Sequence, residues 1–144
     1  RPGWQSRRLG CMARMKLLLD THIWVWSVLE PNRISRRVAA KLDSSENELW
    51  LSPISIWEAM LLHRKGRLKI PEGFSTWVRR SLTGISFTEA PFTFEVAAAL
   101  PAIQLPHADP ADLFLAASAK AFGLTLVTSD RNLLRTHGIS VLEN

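Results

Sequence analysis

Four acidic residues lie where the apolar segments of this 144-residue chain end or turn into helices. Asp20 and Asp130 each follow an apolar run typical of a strand, Glu58 opens a helix after residues 49–52, and Asp112 starts an alanine-rich helical run. Because ligands of an open parallel sheet bind outside the carboxyl ends of its strands, we expect all four acids in one crevice. Carboxylates that share a crevice repel one another unless a cation lies between them, and oxygen ligands without converging Cys or His favour Mg²⁺ or Mn²⁺ over zinc. The pattern therefore predicts a metal-dependent site that cleaves phosphodiesters.

Each acid alone also has an ordinary structural explanation. Asp20 and Asp130 have the position of helix N-caps, and Glu58 lies beside an apolar helix face where an acid is usually exposed. Asp109 and Asp112 are three residues apart, so we assign Asp112 as the ligand and Asp109 as a cap or an outer acid. Four acids at the ends of separate elements are nevertheless hard to attribute to capping alone.

Composition bounds the class of protein. Hydrophobic residues make up 47% of the chain, and the single cysteine, Cys11, excludes a disulfide framework or a zinc cluster. No apolar stretch approaches the ~20 residues that would cross a bilayer, and residues 1–14 lack the apolar middle of a secretory signal. These observations predict a cytoplasmic protein.

The positive charge is distributed unevenly along the chain. Much of the net charge of +5 comes from the first fourteen residues, which contain no acid and carry Arg1, Arg7, Arg8 and Arg14. We interpret residues 1–14 as a disordered or mis-annotated extension and residues 15–144 as one domain.

Alternating strand and helix patterns predict the elements that position the acids. Strands are expected at residues 16–19, 48–52, 85–89, 124–128 and 139–142. Helices are expected at residues 21–30, after Ser35, around 54–62, around 74–82, at 93–100, from Pro110 to Gly123 and at 132–136. This order predicts a three-layer α/β/α domain with a mainly parallel central sheet of about five strands.

Four motifs occur in order along the chain: LLLDTH at 17–22, SIWE at 55–58, HADPADLFLAASA at 107–119 and LVTSD at 126–130. From Met15 onward the chain resembles the PIN domain and, within it, the VapC ribonuclease toxins of bacterial toxin–antitoxin pairs. By that resemblance Asp20, Glu58, Asp112 and Asp130 are the metal-binding acids. Thr21, Ser55 and Thr128 match positions that support them. Many relatives have arginine directly after the third acid, where this chain has Leu113.

The resemblance implies an Mg²⁺-dependent endoribonuclease, with Mn²⁺ as a substitute, in which one or two metals activate water to cleave RNA. It also implies a cognate VapB-like antitoxin, a homodimer and no membrane association. The alternative is a non-catalytic PIN-like module that binds RNA or protein, although such a module has little reason to keep a repulsive carboxylate cluster. A metal-dependent phosphatase is a third reading, but residues 17–24 contain no phosphate-cradling glycine.

Basic and aromatic residues outside the motifs have two readings. Two basic stretches are either solvated surfaces or phosphate contacts beside the acids: Arg33, Arg36, Arg37 and Lys41, and Arg64, Lys65, Arg67 and Lys69. The tryptophans of the first and third helices, Trp24, Trp26 and Trp57, are assigned to the core or to a protein interface rather than to base stacking. His22 and His107 flank the acidic motifs and are expected to contact phosphate or cap a loop.

Overall fold

The computed structural model describes residues 14–105 and 109–144. Its centre is a five-stranded sheet in the order β3-β2-β1-β4-β5, in which neighbouring strands are parallel at every pairing. The strands are β1 (Lys16–Leu19), β2 (Glu48–Leu51), β3 (Phe87–Glu89), β4 (Thr125–Thr128) and β5 (Ser140–Glu143). The predicted α/β fold with a parallel sheet of about five strands is confirmed.

Seven α-helices connect these strands within the described ranges. They are α1 (Thr21–Leu29), α2 (Arg36–Asp43), α3 (Pro53–Arg64), α4 (Phe74–Gly84), α5 (Phe94–Ala99), α6 (Pro110–Phe122) and α7 (Arg131–Leu134). Two 3₁₀ turns follow α1 and α5; they are Pro31–Arg33 and Leu100–Ala102. Local chemistry sets several of the ends: the Ser35 hydroxyl accepts a hydrogen bond from the Val38 amide to start α2, and Gly123 ends α6 with φ at 65°.

The strand β1 shows how the sheet separates two apolar cores. Leu17 and Leu19 pack with Trp24, Trp77 and other residues of α1 to α4, whereas Leu18 packs with α5, α6 and α7 on the opposite face. Successive side chains of a strand point to opposite faces, so a fully apolar strand must be covered on both sides. The helices therefore form two layers around the sheet.

The order of the strands in the sheet determines where the site lies. From β1 the chain moves outward through β2 to β3, and then returns to place β4 on the other side of β1. The crevice at such a reversal is where open α/β sheets bind ligands. Leu19 is in register with Val127, and the Asp20 amide donates to the Val127 carbonyl at 3.0 Å. Asp20 therefore lies at the reversal point, beside the end of β4.

Several local expectations differ from the structure. Glu58 does not open its helix, because Ser52 caps α3 and Pro53 begins it, which places Glu58 in the second turn. The helix expected at 93–100 ends at Ala99 and tightens into the 3₁₀ turn that contains Pro101. The last strand lies one residue later than expected, and α7 starts one residue earlier. Residues 1–13 and 106–108, including His107, lie outside the described residues.

No helix in the described part of the chain is long and apolar enough to cross a membrane.

Candidate active site

The four predicted acids line one cavity of about 300 Å³ at the carboxyl ends of β1 and β4. We call this cavity the acidic pocket; its other lining residues are His22, Trp26, Asp109 and Ser129. Two acids come from the ends of the central strands and two from the helices α3 and α6. The sequence-predicted residues are thus brought together from four separate parts of the chain.

Asp20 is the most buried acid of the pocket, with 6% of its surface exposed. Its Oδ1 accepts a hydrogen bond from the Thr21 amide at 2.7 Å, and its Oδ2 accepts one from the Thr128 hydroxyl at 2.7 Å. Burial raises the pKa of Asp20, and the bond from Thr128 partly opposes that rise. The residue therefore caps α1 and also presents a fixed carboxylate to the pocket.

The supporting residues Thr21 and Ser55 connect the first and third helices. The Thr21 hydroxyl donates to Ser55 Oγ at 3.0 Å, and both side chains are buried. Ser55 lies three residues before Glu58 on α3, and residues at this spacing share a helix face. The hydroxyl pair therefore fixes the α3 face that carries Glu58 against the end of β1.

Glu58 is partly buried beside the other acids. Its pKa is raised, first by burial and then by the negative charges of Asp20 and Asp109. Glu58 is therefore not the fully exposed acid that its position beside an apolar helix face would suggest.

Asp109 and Asp112 have different roles at the start of α6: Asp109 caps the helix, and Asp112 lines the pocket. Asp109 Oδ1 accepts a hydrogen bond from the Ala111 amide at 3.1 Å, which makes it the predicted N-cap. Asp112 is in the first turn of α6, and its pKa is raised to about 7 by burial and by the charges of Asp20, Asp130, Glu58 and Asp109. The charged form of Asp112 is thus disfavoured in the metal-free pocket, first by burial and then by the four neighbouring charges.

Asp130 has the cap geometry that its position after a strand predicts. Its Oδ1 accepts hydrogen bonds from the amides of Asn132 and Leu133 at 2.8 and 3.1 Å and starts α7. Its own amide donates to the Thr128 hydroxyl at 3.0 Å. Thr128 therefore contacts both Asp20 and Asp130 and sets the spacing of the two strand-end acids.

The donor set of the pocket suits a hard divalent cation, since carboxylate oxygens predominate in it and it contains no thiol. The expectation that no His converges on the acids is wrong, because His22 also lines the pocket. Across residues 14–105 and 109–144, no three His, Cys, Asp or Glu side chains are already grouped to hold one ion. Asp20 and Asp130 are held by hydrogen bonds, so Glu58 and Asp112, which lie on helices, are the side chains whose rotation would complete a ligand set. The residues present fit a metal in chemistry and charge.

Three further lining residues carried weak or no signal in the sequence. His22 and Trp26 follow Asp20 by two and six residues on α1, and their rings lie 5.8 Å apart at the rim. Ser129 lies between Thr128 and Asp130, and its position in the fourth motif was the available signal. Leu113, which stands where many relatives have arginine, is only partly buried and packs against the core of α5 to α7 rather than lining the pocket.

Comparisons with known proteins agree with this arrangement. The family model of the PIN domain matches residues 17–139. Ribonuclease VapC22 of Mycobacterium tuberculosis is 31% identical over 122 residues, which cover 84% of this chain and 91% of that protein. The residues that the family model matches include all four acids.

Solved structures give the same fold. The crystal structure of VapBC2 from Rickettsia felis bound to a promoter DNA fragment aligns with a TM-score of 0.67 at 18% identity, covering 90% of this chain and 99% of that one. The crystal structure of FitAcB from Neisseria gonorrhoeae aligns with a TM-score of 0.57 at 27% identity, covering 88% and 96%. The chain belongs to the PIN-domain family and is of the VapC type.

Proposed function

We propose that this chain is a divalent-metal-dependent endoribonuclease that acts as the toxin of a toxin–antitoxin pair. The observation that carries the proposal is that four acids line one pocket at the reversal point of the sheet. They are Asp20, Glu58, Asp112 and Asp130. The similarity to Ribonuclease VapC22 supports RNA as the substrate. As expected from the sequence, the compartment would be the cytoplasm, where both RNA and Mg²⁺ are available.

Mg²⁺ is the proposed cofactor, with Mn²⁺ as a substitute, and Asp20, Glu58, Asp112 and Asp130 would hold it. Such an ion lowers the pKa of a bound water and neutralises charge on the phosphodiester. The chain's own contribution is to fix the carboxylates. Thr21 and Thr128 hold Asp20 by hydrogen bonds, Ser55 holds Thr21, and Asp109 holds the start of α6.

Repulsion within the pocket favours metal binding over an empty site. Burial and four neighbouring acids raise the pKa of Asp112 to about 7, so its charged form is disfavoured when no counter-ion is present. A cation removes this penalty, whereas a module that only binds RNA would gain nothing from concentrating negative charge where phosphates approach. The non-catalytic alternative is therefore the weaker candidate.

Cleavage should require Mg²⁺ or Mn²⁺ and stop when EDTA is added. Asp20→Asn and Asp112→Asn should each abolish RNA cleavage and leave the circular dichroism spectrum unchanged, because each removes charge from a repulsive cluster without changing side-chain volume. Asp43→Asn, an exposed acid on α2, is the matched control and should cleave normally. Cleavage that persists in both site variants would contradict the proposal.

The proposed protein partner is a VapB-like antitoxin that lies across α1 and α3. These helices carry apolar residues that stay partly exposed, including Trp26, Leu29 and Leu61. A basic antitoxin side chain directed to Asp20 and Asp112 would compete with the metal for the same negative field. Expression of the chain alone should arrest growth, and co-expression of the antitoxin should relieve the arrest. Growth unaffected by the active chain would argue against a toxin.

A second copy of the chain is the other proposed partner. Trp57 is 44% exposed and Phe92 is 58% exposed, and they line one cavity of about 200 Å³ with Phe114. We call these three residues the aromatic patch. The helices α3 and α6 that carry Trp57 and Phe114 also carry Glu58 and Asp112. A homodimer through this patch would therefore support the helices that bear two of the acids.

A further inference from the structure

A basic groove adjoins the acidic pocket. It has a volume of about 370 Å³ and lies between α1, the 3₁₀ turn after it and the segment after α3. Three cationic side chains line it, Arg33, Arg67 and Lys69, against the single carboxylate of Glu30. Its remaining surface is mainly apolar and comes from α1 and Leu68. The groove therefore combines positive charge with an apolar floor.

The groove and the acidic pocket share one lining side chain. Trp26 lines both of them. The apolar cavity beside α2 and the two cavities beside the start of α3 share no lining residue with the acidic pocket. A chain that leaves the pocket past Trp26 enters a surface of opposite charge.

Arg33 is held in place on two sides at this junction. Its guanidinium carbon lies 4.1 Å from the centroid of the Trp26 ring, and its Nη1 is 3.0 Å from Glu30 Oε2. Such contacts reduce the rotamer freedom that an arginine must give up when it binds an anion. Trp26, already flanked by Arg33 and His22, thus acts here as the support of a guanidinium rather than as a free stacking surface.

Arg67 and Lys69 extend the positive surface away from the junction. Both are exposed, and neither forms an ion pair with an acid in the described ranges. They follow a turn at Gly66, whose φ is 73° and which is closed by hydrogen bonds from Gly66 to His63 and from Arg67 to Leu62. The two charges are therefore carried by an ordered turn and are not neutralised by the protein.

We propose that this groove holds the sugar–phosphate backbone of single-stranded RNA on one side of the bond that is cleaved. The inference rests on the proposed nuclease function and assigns Arg33, Arg67 and Lys69 as substrate-positioning residues. A polyanion that crosses the acidic pocket must continue past its rim, and a positively charged groove that follows the backbone is a surface that proteins use to bind single strands. An acidic protein segment would match the charge too, but only the RNA strand must pass through both cavities.

The test compares two doubly substituted chains that lose the same charge. Arg67→Gln/Lys69→Gln removes two groove cations, and Arg79→Gln/Lys120→Gln removes two exposed cations from α4 and α6 outside both cavities. Binding of a fluorescein-labelled single-stranded RNA of random sequence is measured by anisotropy over a range of salt concentrations, with EDTA and in an Asp112→Asn background. Cleavage by the otherwise unmodified chains is measured separately.

The groove variant should bind RNA roughly three- to tenfold more weakly, and its log–log salt slope should be smaller by about 1.4. In cleavage it should raise KM and leave kcat unchanged, because the substituted residues do not touch the reacting atoms. The control variant should match the parent in both assays. Equal losses in the two variants would mean that net charge alone acts, and would overturn the proposal.

Two other outcomes separate this inference from the proposed function. If the parent cleaves RNA and the groove variant binds and cleaves it equally well, the groove assignment is wrong and the nuclease function stands. The same conclusion follows if the substitutions affect only binding of the antitoxin. If the parent neither binds nor cleaves RNA, the proposed function fails and the groove assignment fails with it.

Discussion

The hydroxyl of Thr128 donates a 2.7 Å hydrogen bond to Oδ2 of Asp20 and joins the ends of two adjacent central strands. The same hydroxyl accepts the Asp130 amide at 3.0 Å. One side chain without charge thereby sets the relative positions of two strand-end acids. The bond is buried, so it acts where solvent competes weakly.

Thr128→Val should lower the free energy of unfolding by about 1.5–3 kcal/mol, because it removes one of the two hydrogen-bond donors of the buried Asp20 carboxylate at nearly constant volume. It should also weaken metal binding by about 10–100-fold, as the loss of a partner that orients a ligand usually does. Thr125→Val, on the same strand but away from the pocket, is the control. Urea denaturation and calorimetric titration with Mn²⁺ measure the two effects. Equal stability losses in both variants would contradict the role of Thr128.

Asp112→Asn should stabilise the metal-free protein at alkaline pH. The usual pKa of 3.8 rises to about 7 in the folded chain, so the folded state binds more protons than the unfolded state between these values. Stability associated with Asp112 therefore falls as pH rises from about 4 to about 7, and the penalty is complete above that range. Discounted for solvent access, the gain for the Asn variant at pH 8 should be about 1–2 kcal/mol.

Chemical denaturation at pH 8 and at pH 4.5, with EDTA present, provides the comparison for Asp112→Asn. The gain should be largest at pH 8 and small at pH 4.5, where the folded parent already carries a neutral Asp112. Asp43→Asn, which changes an exposed acid outside the pocket, is the control and should not reproduce the gain at pH 8. A gain of the same size at both pH values would rule out the ionisation of Asp112 as the cause.

Metal binding should weaken as pH falls below about 7, since a carboxylate must lose its proton before it coordinates a cation. The dissociation constant for Mn²⁺ should rise about tenfold per pH unit below the pKa of Asp112 and level off above it. Asp112→Asn should bind more weakly and with a flatter pH profile. An equally steep profile in the variant would mean that the proton released on metal binding comes from Asp20 or Glu58, whose pKa values are also raised.

Much of the fold was predictable because its signals are local and agree with one another. The buried run of β1, the N-cap at Ser35 and the left-handed Gly123 each specify their element without distant contacts. Alternation of strands and helices then leaves few topologies. Element ends were less predictable: the chain continues from α5 into a 3₁₀ turn that contains Pro101 and that contacts α6, which a local pattern does not show.

The candidate site was predictable in its members but not in its internal contacts. Strand ends and motif order indicated the acids, whereas the hydrogen bond between Thr21 and Ser55 joins residues 34 positions apart and depends on the packing of α1 against α3. The basic groove shows even more clearly what the sequence could not predict. Arg33 and Lys69 belong to separate basic stretches whose ordinary reading is a solvated surface, and only the tertiary fold places them on one cavity beside Trp26.

The aromatic patch should mediate a homodimer. Trp57 and Phe92 expose a continuous apolar surface with Phe114, and truncation of a central aromatic anchor in an interface typically costs ~2 kcal/mol, or about thirtyfold in affinity. Trp57→Glu should therefore raise the dimer dissociation constant about thirtyfold or more, as measured by sedimentation velocity. Phe94→Ser, which changes a 97% exposed aromatic outside the patch cavity, is the matched control and should leave the dimer intact. A parent chain that sediments as a monomer at high micromolar concentration would contradict the prediction.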